Sequence, residues 1–152
     1  MSEHSHSIPT VYELTIPGDP VPWSPKQTNP KSGTKFVAAR QSKHAGKIID
    51  CWERRHPGVW FEKGDALVIQ GVFWITRPKS HYGTGRNART LKATAPPYPT
   101  GRPDGSNLLK LVEDALTTIA WADDDQFIDG VFRKRYCDWW AAPYSEIKIT
   151  PL

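Results

Sequence analysis

The sequence predicts one small mixed α/β domain of the α+β type, with a mixed sheet and two main helices. Three observations lead there. The 152 residues suit a single domain. Apolar residues switch between strand-like alternation and helical spacing, in the order β-α-β-loop-α-β-β. No internal repeat, membrane-length apolar run or signal-peptide pattern interrupts that order. Two cysteines, Cys51 and Cys137, are too few for a disulfide framework or a cysteine-rich zinc site. With 38% hydrophobic and 24% charged residues, the composition excludes membrane, collagen-like and long coiled-coil classes. The expectation is a soluble, cytoplasmic protein with no membrane partner and no small-molecule cofactor.

Residues 1–10 are polar and read as a disordered tail, leaving 11–152 as the domain. His4 and His6, spaced by one Ser, are a weak signal for a metal site. Val11–Ile16 alternates and predicts a strand. Pro17–Pro30 holds five prolines and Trp23, which predicts a loop. Val37–Arg55 places Val37, Ala38, Ala45, Ile48, Ile49 and Trp52 on one face of a helix, with Arg40, Lys43, Lys47 and Arg54 outside. Cys51 falls among its packing positions. Leu67–Thr76 is β-branched and aromatic, a long strand. Arg77–Arg102 is rich in Gly and Pro, and structureless loops of that length in a small domain are functional or disordered. Asp104–Ile119 is the clearest helix, with Leu108, Leu111, Val112, Ala115, Leu116 and Ile119 as its apolar face. Phe127–Tyr136 predicts a third strand with a bulge at Gly130, and Ser145–Thr150 a last, edge-like strand. Trp52, Trp74 and Trp121 are expected in the core.

The net charge of +4 hides an asymmetry. Residues 76–102 carry six basic side chains (Arg77, Lys79, Arg86, Arg89, Lys92, Arg102) and no acid. Residues 103–130 carry seven acids against Lys110 alone. Lys and Arg grip anionic polymers, whereas clustered carboxylates repel unless a cation lies between them. The two blocks point to chemistry on a phosphodiester. Asp104, Asn107, Lys110 and Asp114 share the polar side of the second helix, and Asp123, Asp124 and Asp125 follow after Trp121. Carboxylate oxygens favour Mg²⁺, with Mn²⁺ as a substitute. Each feature has a plainer reading: Asp104 as a helix N-cap, Lys110 with Asp114 as a surface pair, residues 123–125 as a turn. There is no P-loop, no H-E-x-x-H and no EF-hand loop, and Gly83-Thr84-Gly85 is a lone GxG in a loop.

The segment RPDGSNLLKLVEDALTTIAWADDDQ, Arg102–Gln126, resembles the core of the RusA family of Holliday junction resolvases. The family pattern is Pro-Asp-x-Asp-Asn-x-x-Lys, then Asp-Ala-Leu, then Trp-x-Asp-Asp-x-Gln. It is met by Pro103-Asp104, Asn107, Lys110, Asp114-Ala115-Leu116, Trp121, Asp123-Asp124 and Gln126. RPKSHYGTGRN, Arg77–Asn87, also resembles phage members, and the element order agrees over nearly the whole chain.

The resemblance implies a bacterial or phage-encoded homodimer that nicks four-way DNA junctions with Mg²⁺ in recombination and repair. Asp104 and Asp124 would bind the metal, with Asp123 as neighbour. Lys110 would be the catalytic lysine and Asn107 a supporting polar group. Arg77, Lys79, Arg86, Arg89, Lys92 and Arg102, with Arg40, Lys43 and Lys47, would hold phosphate backbones. Trp23, Tyr82 or Tyr98 would stack on unpaired bases, and Trp139-Trp140 would suit a dimer interface. One departure matters: the family's second aspartate falls at Ser106, a weaker metal ligand without charge. Asp125 or Asp114 would then compensate, or the chain would be a weakened or inactive junction-binding protein. A nuclease for flaps or forks is the remaining alternative.

Overall fold

Alternating segments build a four-stranded sheet whose one face is apolar and whose other face is half-exposed. The computed structural model describes residue 8 and residues 10–152. The tail expected over 1–10, with His4 and His6, lies almost wholly outside the described residues. The elements are β1 (Tyr12–Pro17), β2 (Gln27–Thr28), β3 (Lys35–Phe36), α1 (Ala39–Arg55), β4 (Leu67–Ile75), α2 (Gly105–Leu116), β5 (Phe127–Tyr136) and β6 (Tyr144–Pro151). Sheet order is β1-β6-β4-β5, with β6 antiparallel to both neighbours and β4 parallel to β5. This is the predicted mixed α+β domain with two helices. Among the described residues, no helix is long and apolar enough to cross a membrane.

Both helices cover one sheet face. Leu14 and Ile16 of β1, Leu67, Ile69 and Phe73 of β4, and Ile147 and Ile149 of β6 point into the core. Ile48 and Trp52 of α1 and Leu108, Leu111, Val112 and Leu116 of α2 meet them. Trp121 plugs the end of this layer, edge-on to Trp52 at 6.2 Å and to Phe127 at 4.8 Å. Cys51 packs partly buried against the core.

Five expectations need correction. The last strand is central, with β1 and β5 as the edges. Its alternation misled because only one sheet face is covered, so even an inner strand shows polar residues such as Glu146 and Lys148. The bulge sits at Ile128, between the pairs Leu67–Phe127 and Val68–Asp129, and not at Gly130. Gly130 instead admits Leu109, whose Cδ2 would lie 3.3 Å from an added Cβ. Trp74 is half-buried on the uncovered face, stacked on Tyr144 at 5.9 Å. Finally, α2 stops at Leu116, where the Thr117 hydroxyl donates to the Glu113 carbonyl at 2.8 Å and Thr118 turns to φ 69°. The helix start at Ala39 also leaves Val37 outside α1 and exposed.

His44 of α1 makes stability pH-dependent. It is buried, and burial first, then the charges of Lys47 and Arg40, push its pKa down to about 4. A folded pKa below the unfolded value of about 6.5 means that protonation opposes folding. Stability is full above that unfolded value and falls as pH drops towards 4. The expected loss is on the order of 2–3 kcal/mol. Urea unfolding of wild type and His44→Gln at pH 7 and pH 4.5 checks this; an equal acid loss in both proteins would refute it.

Candidate active site

Helix α2 begins where the basic loop ends. Asp104 is its N-cap, the Oδ1 atom accepting from the Asn107 backbone N–H at 3.2 Å. The plainer reading of this aspartate is therefore correct, and one carboxylate oxygen remains free for other work. Gly105 is required beside it, because a Cβ would collide with the Phe132 ring. From this end, Ser106, Lys110 and Asp114 recur every four residues along the exposed side of the helix.

The other half of the site is a tight turn after Trp121. Gln126, buried, organises it. Its Oε1 accepts from the backbone N–H groups of Ala122 and Asp123 at 2.9 and 3.1 Å, and its Nε2 donates to the Glu62 carbonyl at 2.8 Å. Asp123 Oδ1 accepts from the Asp125 N–H at 3.2 Å. The turn projects Asp123, Asp124 and Asp125 into solvent with ligand oxygens all within 4.8 Å of one another. Among the described residues, no other group of three or more His, Cys, Asp or Glu is close enough to share an ion.

Electrostatics show the strain of this cluster. Asp123 is held below the usual carboxylate range, first by the Asp125 N–H and then by a hydrogen bond from Asp124. Asp124 is pushed up, first by sharing that hydrogen bond, then by burial and by the charges of Asp123, Asp125 and Asp114. Glu113, which the sequence reading passed over, is raised to about 7 by burial and by the charge of Asp124, with Lys110 opposing. Its signal was available: it lies next to Asp114 on the polar border of α2. A divalent cation relieves just this repulsion, and three hard oxygen donors fit one.

Glu113 gives a signed test of that repulsion. A raised carboxyl pKa means stability present below about pH 4.5 and lost as pH rises through about 7. In EDTA at pH 8, Glu113→Gln should stabilise the metal-free protein by about 1–2 kcal/mol, after allowance for solvent screening. The gain should vanish at pH 4. Urea unfolding at the two pH values measures it; a gain of the same size at pH 4 would sink the explanation.

The structure thus gathers Asp123, Asp124, Asp125, Asp114 and Glu113 near Lys110. Asp104 and Ser106 are not in that cluster. Ten residues of helix, about 15 Å of axis, separate Asp104 from Asp114. Lys110 lies between, its Nζ 3.6 Å from the centroid of the Trp23 ring. The Trp23 backbone N–H in turn donates to the Asn107 backbone carbonyl at 2.9 Å, tying the Pro-rich segment to α2.

The basic residues divide into two groups. Arg77 is half-buried, bonded to the Pro96 carbonyl at 2.7 Å and lying over the Tyr136 ring at 4.2 Å. Arg89 lies over Trp139 at 4.1 Å, and Lys47 donates to the Pro17 carbonyl at 3.1 Å. Lys79, Arg86, Lys92, Arg102, Arg40 and Lys43 are exposed. The reading missed the basic run Arg133-Lys134-Arg135 on β5, visible in the sequence as FRKRY. Lys134 fastens the loop end, donating to the Gly101 and Pro103 carbonyls at 2.8 and 2.9 Å. The long loop carries two short 3₁₀ turns, Lys79–His81 and Gly85–Asn87, and a bridge from Tyr82 to Leu91.

A family model described as endodeoxyribonuclease RusA matches residues 17–150 of this chain. No curated protein sequence matches it.

Proposed function

The chain belongs to the RusA endodeoxyribonuclease family, and from that premise we propose that it resolves four-way DNA junctions as a metal-dependent homodimer. The observation that carries the reading is the Asp123–Asp125 cluster facing the Lys110 side of α2. Asp124, with Asp123 and Asp125, would hold Mg²⁺ or Mn²⁺, and Asp104 would be the acid at the far end of the site. When bound, the cation supplies Lewis-acid polarisation of a phosphate oxygen and an acidified water.

The chain's own residues do the rest. The Lys110 ammonium forms no ion pair among the described residues, so it is free to meet a phosphate. It offsets the negative charge that grows as the P–O bond breaks. Asn107 fixes the Trp23 segment, on which that ammonium rests. Arg102, Arg40, Lys43, Lys79, Arg86 and Lys92 orient the backbone without reading sequence. Two copies related by a two-fold axis would present identical sites to opposed strands. The exposed Trp139 and Trp140, edge-on to each other at 5.6 Å, would suit the surface a second copy covers.

The test is a labelled four-way junction beside a matched linear duplex, with Mg²⁺. Paired nicks on the junction are expected, from a species sedimenting at twice 17.2 kDa. Equal cutting of both substrates would refute junction specificity.

Ser106 supports a second reading, a junction-binding protein with weakened chemistry. If the cation is held at the Asp104 end of α2 and not at the acidic turn, Ser106→Asp, which adds a carboxylate four residues before Lys110, should raise the cleavage rate at limiting Mg²⁺ by about tenfold, worth about 1.4 kcal/mol. A rate unchanged across a Mg²⁺ titration would show that the hydroxyl costs nothing.

A further inference from the structure

A cleft of about 670 Å³ lies between the Pro-rich segment and the N-terminus of α2. Its construction is rigid. Asp19 accepts from the Thr76 N–H and hydroxyl at 3.1 and 2.8 Å. Ser24 donates from both its N–H and its hydroxyl to the buried Gln41 side chain, each at 2.9 Å. The Trp23 backbone N–H donates to the Asn107 backbone carbonyl. The segment is therefore pinned to β4, α1 and α2, and the cleft is formed before any ligand arrives.

Its chemistry is specific. Pro22, Trp23 and Pro103 give flat apolar walls, while Arg40 and Arg102 stand at the same cleft as cations. The volume falls in the usual range for small-molecule sites, roughly 300–1,000 Å³. Flat apolar walls with flanking guanidinium groups suit a planar aromatic ring attached to phosphates. A base paired within a duplex cannot enter a concave site, whereas an unstacked one can. Asp104 and Asn107 also line the cleft, which places it against the candidate active site.

We propose that this cleft is a subsite for one unpaired nucleobase of the DNA substrate, stacked against Trp23, with its adjoining phosphates held by Arg40 and Arg102. The inference rests on the junction-nuclease reading and deepens it. A strand whose base is seated there passes the scissile phosphate towards Lys110. The indole would serve two partners, the base in the cleft and the lysine that rests on the ring.

The test scans single abasic substitutions through the nucleotides flanking the crossover of a four-way junction, with binding measured in EDTA. For wild type, one position should weaken binding about tenfold, equivalent to about 1.4 kcal/mol and within the range of base–aromatic stacking. In Trp23→Ala and Trp23→Leu that same abasic site should cost less than about twofold, while Trp23→Phe keeps most of the penalty. Circular dichroism confirms folding of each variant. The absence of any sensitive position in wild type overturns the subsite without recourse to a variant. An equal penalty in wild type and Trp23→Leu overturns it too. Loss of preference for the intact junction over a linear duplex would instead refute the junction reading itself.

Discussion

Asp124→Asn is expected to lower junction cleavage by about 100-fold or more while leaving junction binding within about threefold. A cation contributes several kcal/mol of charge stabilisation in the transition state, and each decade of rate corresponds to about 1.36 kcal/mol. Asp124 is the member of the acidic turn most crowded by negative charge, with Asp123, Asp125 and Asp114 all raising its pKa. The side chain that suffers most without a cation gains most from one. Asn keeps the size and a carbonyl oxygen but removes the charge that attracts the metal. It also removes repulsion in the metal-free protein, so thermal stability in EDTA should hold or rise. That opposite movement separates a catalytic loss from unfolding. Single-turnover cleavage across Mg²⁺ and Mn²⁺ titrations is the measurement. A wild-type rate would shift the metal away from this turn and towards Asp104.

Most of this architecture was legible because the signals were redundant. Helix α2 announced itself through five apolar residues at helical spacing (Leu108, Leu111, Val112, Ala115 and Leu116), and β4 through its β-branched run. The acidic turn could be found from composition alone, since seven acids against one lysine is a local imbalance that a fold must place somewhere. What the sequence concealed is relational. The position of β6 between β1 and β4 depends on which sheet face the helices cover, and period-two alternation is the same for an edge strand and for an inner strand of a half-covered sheet. Nor does the sequence announce that Arg77 and Arg89 lie over the Tyr136 and Trp139 rings, contacts made across the chain. Asp104 and Asp124 were paired by a motif, yet a motif gives order along the chain and no distance. In the fold they stand at opposite ends of the α2 polar face, with Lys110 between them.

That intermediate position makes Lys110→Ala the most informative single change. We expect about a 100-fold loss in the cleavage step, comparable to removal of one charge-stabilising donor in a preorganised site. The side chain is exposed, and its contact is the Trp23 ring at 3.6 Å. Truncation therefore costs at most about 1 kcal/mol of stability from the cation–π contact. Metal affinity should not fall, because the ammonium opposes rather than attracts a cation. It should rise slightly, since the Lys110 charge acts on Glu113 beside Asp124. Asp124→Asn predicts a weakened metal titration; Lys110→Ala predicts a lower rate at saturating metal. Lys110→Arg keeps the charge but spreads it over a planar fork, so it should recover only part of the rate. The double variant is the decisive comparison. If lysine and cation stabilise the same developing charge, the two losses will fall short of additivity. If they add fully, Lys110 acts on binding or product release instead, and the lysine is a phosphate anchor rather than a partner in bond cleavage.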